Sequence, residues 1–297
     1  MLERAAPLIF VFLWSTGFIG AKLGLPYVEP FTFLTLRMLI VVAILAPVLV
    51  FFVGERPGGA AFLHSMVVGI LVHAVYLGGV FFAISRGMSA GISSVIVALQ
   101  PLLTVFLARL MLEERMSGRQ LASLVVAFGG VVLLLSPKLT GGEVLAGVNW
   151  VTMPAVIAAL AGISLGSVYQ KRHVTGVDIR VATFAQYVGS LVVLAPLALF
   201  TETMAVRWSG EFVFALGWLV IVLSIGAVSL LMYLIRRNSA GSTAKLFYLV
   251  PVLVVIIAWL LFGETLQPVQ FAGMAVVIAA LAHGMKKPEA GAGDNRR

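Results

Sequence analysis

The residues of this chain that could do chemistry are few, and each lies inside a long apolar stretch. They are one arginine, one histidine, one glutamine and four aromatic residues: Trp14, Arg37, His73, Tyr76, Gln100, Tyr187 and Tyr248. No Gly-rich phosphate loop or His-Glu-x-x-His pair accompanies them, which argues against an enzyme. Isolated polar groups at depth in apolar segments are typical of binding sites for small solutes. We therefore predict a binding site without catalytic residues, metal ligands or a cofactor.

The composition identifies the class of protein. Of the 297 residues, 61% are hydrophobic and 11% are charged, whereas soluble chains contain about 45–50% apolar and about 25% charged residues. The chain is therefore expected to lie in a lipid bilayer. Its net charge of +8 is not arranged as basic blocks between aromatic residues, so we predict no binding of nucleic acid. The chain has no cysteine, which excludes disulfides and thiolate metal sites.

Ten apolar runs are long enough to cross the hydrocarbon layer, which takes roughly 17–25 residues. They are 7–24, 31–52, 64–85, 91–112, 118–135, 151–169, 181–200, 212–235, 241–262 and 269–284. This pattern predicts an all-α integral membrane protein with ten transmembrane helices. The first run resembles a signal peptide, but we predict a retained helix because Gly20-Ala21-Lys22 is a poor cleavage context.

The orientation in the membrane follows from the distribution of Lys and Arg. With the N-terminus inside, most of these residues outside the spans fall on the cytoplasmic side. The pattern predicts a multi-pass protein of a bacterial-type inner (plasma) membrane with both termini in the cytoplasm. Residues 288–297 are small and polar, so we expect a disordered cytoplasmic tail there.

The second half of the chain repeats the first. Ser89-Ala90-Gly91 and Pro101 recur as Ser239-Ala240-Gly241 and Pro251, in each case 150 residues later. We predict two five-helix repeats, 1–140 and 141–287. Because five is an odd number of crossings, the second repeat must be inverted in the membrane relative to the first.

A weaker match upstream, at an offset of 149, pairs Ser15 with Ser164. At the same offset Arg37 corresponds to Gln186, so a role of Arg37 is not expected to be shared by the second repeat. Inverted repeats are the architecture of many secondary transporters, whose two halves exchange conformations to open on alternate sides. Pro101 and Pro251 lie near the middle of their spans, where they form either a hinge or a static bend.

The first two spans and the repeated pattern of Ser-Ala-Gly, mid-helix Pro and terminal Glu resemble the EamA family of the drug/metabolite transporter superfamily. The residues that carry the resemblance in the first two spans are Trp14-Ser15-Thr16-Gly17-Phe18, Lys22, Pro30 and Arg37. The resemblance covers essentially the whole chain. It implies an exporter of small metabolites, and is strongest to the family's exporters of aromatic and neutral amino acids.

Each candidate site residue has an alternative role. Trp14 could stack against the substrate or only pack against other helices. His73 could line the cavity or form a hydrogen bond with a neighbouring helix. Tyr76 lies on the same helix face as His73 and would line the cavity with it. Gln100 could face the cavity or link helices. Arg37 could hold a substrate carboxylate or extend its charged end to the membrane surface.

Further residues have simpler expectations. Tyr187 and Tyr248 are predicted to be hydrogen-bonding residues of the wall. Glu114 and Glu264 are expected to cap the helices that follow them. The Gly162 to Gly166 spacing is expected to let two helices approach closely.

The acidic residues limit the mechanism of transport. All of them fall in a loop, a tail or a helix end, so no carboxylate at depth is available for proton antiport. Facilitated diffusion or exchange is therefore expected, with His73 as the reserve coupling group. Two alternatives stay open: a transporter of a drug or a phosphorylated sugar, and a non-transporting membrane enzyme or receptor. The oligomeric state does not follow from the sequence.

Overall fold

The computed structural model describes residues 2–52, 58–139, 147–262 and 266–285. Within these ranges the regular structure is helical, apart from an isolated β-bridge between Val28 and Val206. The expected tail 288–297 and Glu264 lie outside the described residues.

Ten helical spans follow one another along the chain, and we label them α1 to α10. They are α1 (Leu2–Gly24), α2 (Pro30–Phe52), α3 (Gly59–Ser85), α4 (Ala90–Val97 and Gln100–Leu112), α5 (Gly118–Leu135), α6 (Thr152–His173), α7 (Ile179–Thr201), α8 (Gly210–Arg237), α9 (Ala240–Ala244, a 3-10 turn Lys245–Tyr248, and Leu249–Phe262) and α10 (Pro268–Met285). Nine helical stretches of the described chain are long and apolar enough to cross a membrane, and α10 is a shorter apolar helix. The prediction of an all-α membrane protein is confirmed.

Polar caps determine where several spans begin. The Ser89 hydroxyl accepts a hydrogen bond from the Ile92 amide, and the Ser239 hydroxyl accepts one from the Ser242 amide. The serine of the repeated Ser-Ala-Gly string is thus an N-cap, worth about 0.5–2 kcal/mol in each copy. Asp178 caps α7 in the same way, and its hydrogen bond with the Arg180 side chain lowers the pKa of the Asp178 carboxyl.

Contacts between loops define two ends of the bundle. At the end where α1 begins, the Lys171 ammonium donates to the Ile235 carbonyl at 2.8 Å; we call this the terminal face. At the opposite face, the amides of Phe31 and Thr32 donate to the Glu202 carboxylate at 2.7 and 2.6 Å. The first turn of α2, in the first repeat, is thus tied to the end of α7, in the second.

The two repeats make equivalent contacts with each other. The Ser15 hydroxyl of α1, whose shorter bond is to the Val11 carbonyl of its own helix at 2.7 Å, lies 3.3 Å from the Val250 carbonyl of α9. The Ser164 hydroxyl of α6 lies 3.4 Å from the Gln100 carbonyl of α4. In addition, α2 packs along α7 and α5 packs along α10, so each of these helices meets its own counterpart. Such contacts are those of an inverted duplication, in which a pseudo-two-fold axis relates the halves.

The two prolines lie where α4 and α9 are interrupted. Pro101 occupies the first turn of the helix Gln100–Leu112, which follows a break after Val97. Pro251 is the third residue of Leu249–Phe262 and follows the 3-10 turn of α9. In the first turn of a helix, the backbone amide would have no helical partner in any case, so a proline there breaks no helical hydrogen bond. The prolines therefore begin helices rather than kink their interiors, and their role as a hinge stays a prediction.

Two π-helical segments occupy related positions in the repeats. Ile70–Leu77 lies in α3, and Leu219–Ala227 lies in α8, about 150 residues later. π-helical turns are rare and often mark functional sites. Small residues allow close packing here, since a Cβ atom added at Gly162 would lie 2.7 Å from the Leu71 carbonyl oxygen. Gly166 likewise packs against Val72.

Glu114 differs from the expectation that it caps the following helix. Ser117 and Gln120 form the capping box that begins α5. The Glu114 carboxylate instead accepts hydrogen bonds from the Ala240 amide at 3.0 and 3.2 Å. Glu113, in the left-handed region at φ 56°, ends α4 before that carboxylate. Glu114 therefore binds the first turn of α9 in the other repeat.

Replacing Glu114 by Gln is expected to lower the free energy of unfolding by about 1 kcal/mol, because a hydrogen bond to a charged group is stronger than a neutral one. Thermal unfolding in detergent would measure the effect. The matched control is Glu113→Gln, since the Glu113 side chain is exposed. Equal unfolding midpoints for the two variants would contradict the assigned contact.

Candidate functional site

A cavity lies between α1, α2, α3 and α8 in the half of the bundle nearer the opposite face. Trp14, Arg37, His73 and Tyr76 line it, and the rest of its wall is mostly aliphatic. Its volume is about 70 Å³. At about 10–15 Å³ for one water, this is room for about five to seven. Four of the seven predicted binding residues therefore meet at one cavity.

Arg37 is the charged residue of this cavity. It is the eighth residue of α2, only 6% exposed, and its Nε donates to the Ser224 hydroxyl at 2.7 Å. No carboxylate of the described residues forms an ion pair with it. The burial of Arg37 and its contact with α8 argue against extension to the membrane surface. A buried cation without a counter-ion is costly, and it makes the cavity suitable for an anion.

His73 and Tyr187 form a pair beside the arginine. Their rings stack with centroids 4.6 Å apart and an interplanar angle of 15°. The Tyr187 hydroxyl donates to the Ser224 carbonyl at 3.1 Å. His73 Nε2 is buried and has no hydrogen-bond partner among the described residues. Tyr187 is thus placed behind the cavity as a support for His73, whereas His73 lines it with a free ring nitrogen.

Trp14 belongs to an aromatic cluster on the terminal-face side of the cavity. The rings of Phe10, Trp14 and Phe247 lie with centroids 5.3 to 5.4 Å apart. The first two residues are in α1 and Phe247 is in the 3-10 turn of α9. This cluster joins the cavity wall to the interrupted helix of the other repeat. Trp14 therefore both lines the cavity and packs between helices.

Gln100 and Tyr248 lie away from the lining of this cavity. The Gln100 amide donates weakly to the Thr104 hydroxyl of its own helix at 3.4 Å. Tyr248 packs in a second apolar cluster with residues of α5 and α10. Their assignment to a binding wall stays a prediction, as does the hinge at Pro101 and Pro251.

Sequence reasoning missed Ser224, which contacts both Arg37 and Tyr187. Ser224 is the only polar side chain in the segment Leu219–Ala227. Its isolation at mid-span was the signal that could have identified it.

The fold and the cavity define a polytopic membrane protein of inverted repeats around a small, cationic, largely apolar site. The chain belongs to the EamA-like transporter family, whose profile matches residues 5–136 and 150–283. The resemblance found in the sequence is confirmed. The matched ranges fall within the two predicted repeats.

Individual relatives are similar over most of their length. An uncharacterized inner membrane transporter YedA of Escherichia coli K12 is 26% identical over 271 residues, covering 91% of this chain and 86% of that protein. A probable amino-acid metabolite efflux pump of Salmonella typhimurium LT2 is 27% identical over 285 residues, covering 92% and 91%. A solved crystal structure superposes with a TM-score of 0.76 at 22% identity, covering 95% of this chain and 97% of that one, which supports the fold. The protein is a multi-pass membrane transporter by family.

The absence of native cysteine allows the cavity to be tested by labelling. A Val80→Cys variant, with the thiol in the cavity wall, is expected to react with a small methanethiosulfonate about tenfold or more faster than a buried control, because the control requires local unfolding. Val131→Cys is the matched control, since Val131 is 0% exposed. Equal modification rates, measured by mass spectrometry, would contradict the cavity.

Proposed function

We propose that the protein is a secondary transporter that exports small carboxylate-bearing metabolites, in the first place neutral and aromatic amino acids. Transport occurs by alternating access around the cavity of Trp14, Arg37, His73 and Tyr76. The observation that carries this proposal is a buried arginine that lines the cavity without a carboxylate partner among the described residues.

The guanidinium group of Arg37 suits a carboxylate. It presents a planar fork of N–H donors that binds the two carboxylate oxygens with parallel, charge-assisted hydrogen bonds. His73 Nε2 is a second unpartnered polar atom near this position. A cationic drug would need an acidic residue in the wall, and the lining contains none. A phosphorylated sugar would need several cations, and Arg37 is the only cation among the described residues of the lining.

The rest of the wall suits a neutral side chain. Trp14, Tyr76 and Leu223 present aromatic and aliphatic surface to the cavity, and burying such surface against substrate yields about 25 cal/mol per Å². The volume of the cavity is small for an aromatic amino acid. Binding of the larger substrates therefore requires the wall to widen, and the ring cluster around Trp14 joins that wall to α9.

The two ends of the bundle are packed unequally, as alternating access requires. At the terminal face, Gln100–Leu112 packs along Ala240–Ala244, next to a polar cavity of about 190 Å³ that includes Glu114. Among the described residues, the repeat-related pair at the opposite face, Ala90–Val97 and Leu249–Phe262, shows no comparable packing. Exchange of these two arrangements between the halves would open the site to the other side.

The Salmonella relative is named a probable amino-acid metabolite efflux pump, which supports the substrate class and the outward direction. A second candidate substrate is an organic monocarboxylate without an ammonium group. It is favoured because the cavity lining offers no carboxylate to an ammonium. For an amino acid, the face of Trp14 would have to take that place through a cation–π contact.

The transport test uses proteoliposomes and labelled phenylalanine, threonine, 3-phenylpropionate and methyl viologen. Saturable uptake of the amino acids is expected, and Arg37→Gln is expected to raise KM by about 10- to 100-fold, because a hydrogen bond to a charged group contributes about 1.5–3 kcal/mol. Arg119→Gln is the control, since Arg119 is exposed and donates to the His283 carbonyl at the terminal face.

The result discriminates among the candidate substrates. Saturable uptake of 3-phenylpropionate alone would favour the monocarboxylate, and saturable flux of methyl viologen alone would refute both carboxylate proposals. The described residues of the cavity lining include no carboxylate. An imposed pH gradient is therefore not expected to drive accumulation of the substrate. Unlabelled substrate on the other side of the membrane is expected to accelerate the flux.

The orientation with both termini in the cytoplasm is part of the proposal. An Ala205→Cys variant, exposed on the opposite face, is expected to react with an impermeant maleimide in intact cells. A Gly118→Cys variant, exposed on the terminal face with space for a Cβ, is expected to react only after lysis. The reverse pattern would invert the topology.

A further inference from the structure

We propose that Ser224 is a positioning residue that aligns the Arg37 guanidinium for the carboxylate of the transported solute. This inference rests on the proposed function and deepens it, because it assigns the selection of the carboxylate to a second residue. Ser224 belongs to none of the repeated sequence motifs and is a single serine in an apolar run.

Ser224 of α8 forms hydrogen bonds with two residues on other helices, Arg37 of α2 and Tyr187 of α7. Its hydroxyl accepts a hydrogen bond from Arg37 Nε at 2.7 Å, and its carbonyl accepts one from the Tyr187 hydroxyl at 3.1 Å. Ser224 itself is 0% exposed. One residue of α8 therefore joins α2 to α7 at the depth of the cavity, in a setting where water does not compete for these bonds.

The bond to Nε determines which edge of Arg37 faces the solute. A guanidinium can hold a carboxylate through Nε and one Nη, or through both Nη atoms. Nε already donates to Ser224, and the Tyr187 side chain also forms a hydrogen bond with the guanidinium. The geometry that uses Nε is therefore closed, and the carboxylate is left with the remaining Nη hydrogens. Ser224 thus selects one of the two possible binding geometries and lowers the entropy that Arg37 would lose on binding.

The π-helical segment of α8 carries Ser224 to this place. The related segment Ile70–Leu77 of α3 carries Ala74 or Val75 at the counterpart position, at an offset of 150 or 149, and neither residue has a hydroxyl. The counterpart of Arg37 is Gln186. Both members of the Arg37–Ser224 pair are thus absent from the other repeat, although the scaffold that presents them is duplicated. Arg37 and Ser224 therefore both differ from their counterparts in the other repeat. This is expected if only one of the two repeats binds the charged group of the solute.

The test compares Ser224→Ala with Ser224→Thr and Ser224→Cys in proteoliposomes. Ser224→Ala removes the acceptor and is expected to raise KM for phenylalanine about tenfold, with the maximal flux retained. Ser224→Thr keeps a hydroxyl and is expected to restore the KM of the wild type. Ser224→Cys fills the same space with a poor hydrogen-bond acceptor. It is expected to raise KM as Ser224→Ala does, and it provides the test if Ser224→Ala does not fold.

The control is Ser65→Ala, because Ser65 is equally buried and its hydroxyl bonds only to the Ala61 carbonyl of its own helix. The decisive measurement is the competition of phenylalanine and its amide, which has no carboxylate. The wild type should prefer the acid, and Ser224→Ala should lose about tenfold of that preference while Ser65→Ala keeps it.

Two failures are distinguishable. If the wild type shows no saturable flux of any carboxylate solute, the proposed function fails and the role of Ser224 fails with it. If the wild type transports phenylalanine and both Ser224→Ala and Ser224→Cys keep its KM and its preference for the acid, only the positioning role is refuted.

Discussion

The interaction on which this structure depends is the burial of Arg37 in an apolar helix bundle without an opposing carboxylate among the described residues. Moving a guanidinium out of water is costly, and a protein that needed only stability would place an apolar residue there. Neutral groups provide partial compensation: the Ser224 hydroxyl and the Tyr187 side chain, which both form hydrogen bonds with the guanidinium. The charge remains available to an anion that enters the cavity. In the proposed function, binding of a carboxylate offsets the rest of this cost, which would let the site discriminate by charge.

The features that the two repeats share and the residues that differ between them have separate roles in the proposed mechanism. The hydrogen bonds of Ser15 and Ser164 to carbonyls of the opposite repeat, and the paired π-helical segments, belong to the duplicated scaffold. A scaffold whose halves are alike can adopt two related packings of similar free energy. The exchange of Arg37 for Gln186 breaks this likeness. In the proposed mechanism the duplicated scaffold provides the motion, and the residues without a counterpart provide the recognition.

Backbone hydrogen bonds explain why the interrupted helices are tolerated in lipid. A free carbonyl costs several kcal/mol in hydrocarbon, so each break must be satisfied from within the protein. The backbone tightens at both breaks: the Leu99 amide donates to the Ile96 carbonyl at 3.1 Å, and the 3-10 turn Lys245–Tyr248 comes before Pro251. Hydroxyls of α6 and α1 lie 3.4 and 3.3 Å from the carbonyls of Gln100 and Val250, so helices of the opposite repeat contact both breaks. A movement between the repeats would act directly on these two places.

The sequence by itself determined the ten helices, the inverted duplication and the four residues Trp14, Arg37, His73 and Tyr76 that meet at the cavity. The position of a residue within an apolar run sets its depth in the membrane. A polar group at that depth is costly, so it usually has a function. Depth does not say which neighbouring helix a side chain faces. Only the tertiary structure decided that Tyr187 supports His73 from behind, that Gln100 and Tyr248 turn away, and that Glu114 binds α9 instead of capping α5. These contacts join residues more than a hundred positions apart or depend on the rotation of a helix about its axis, and neither is specified by a local apolar pattern.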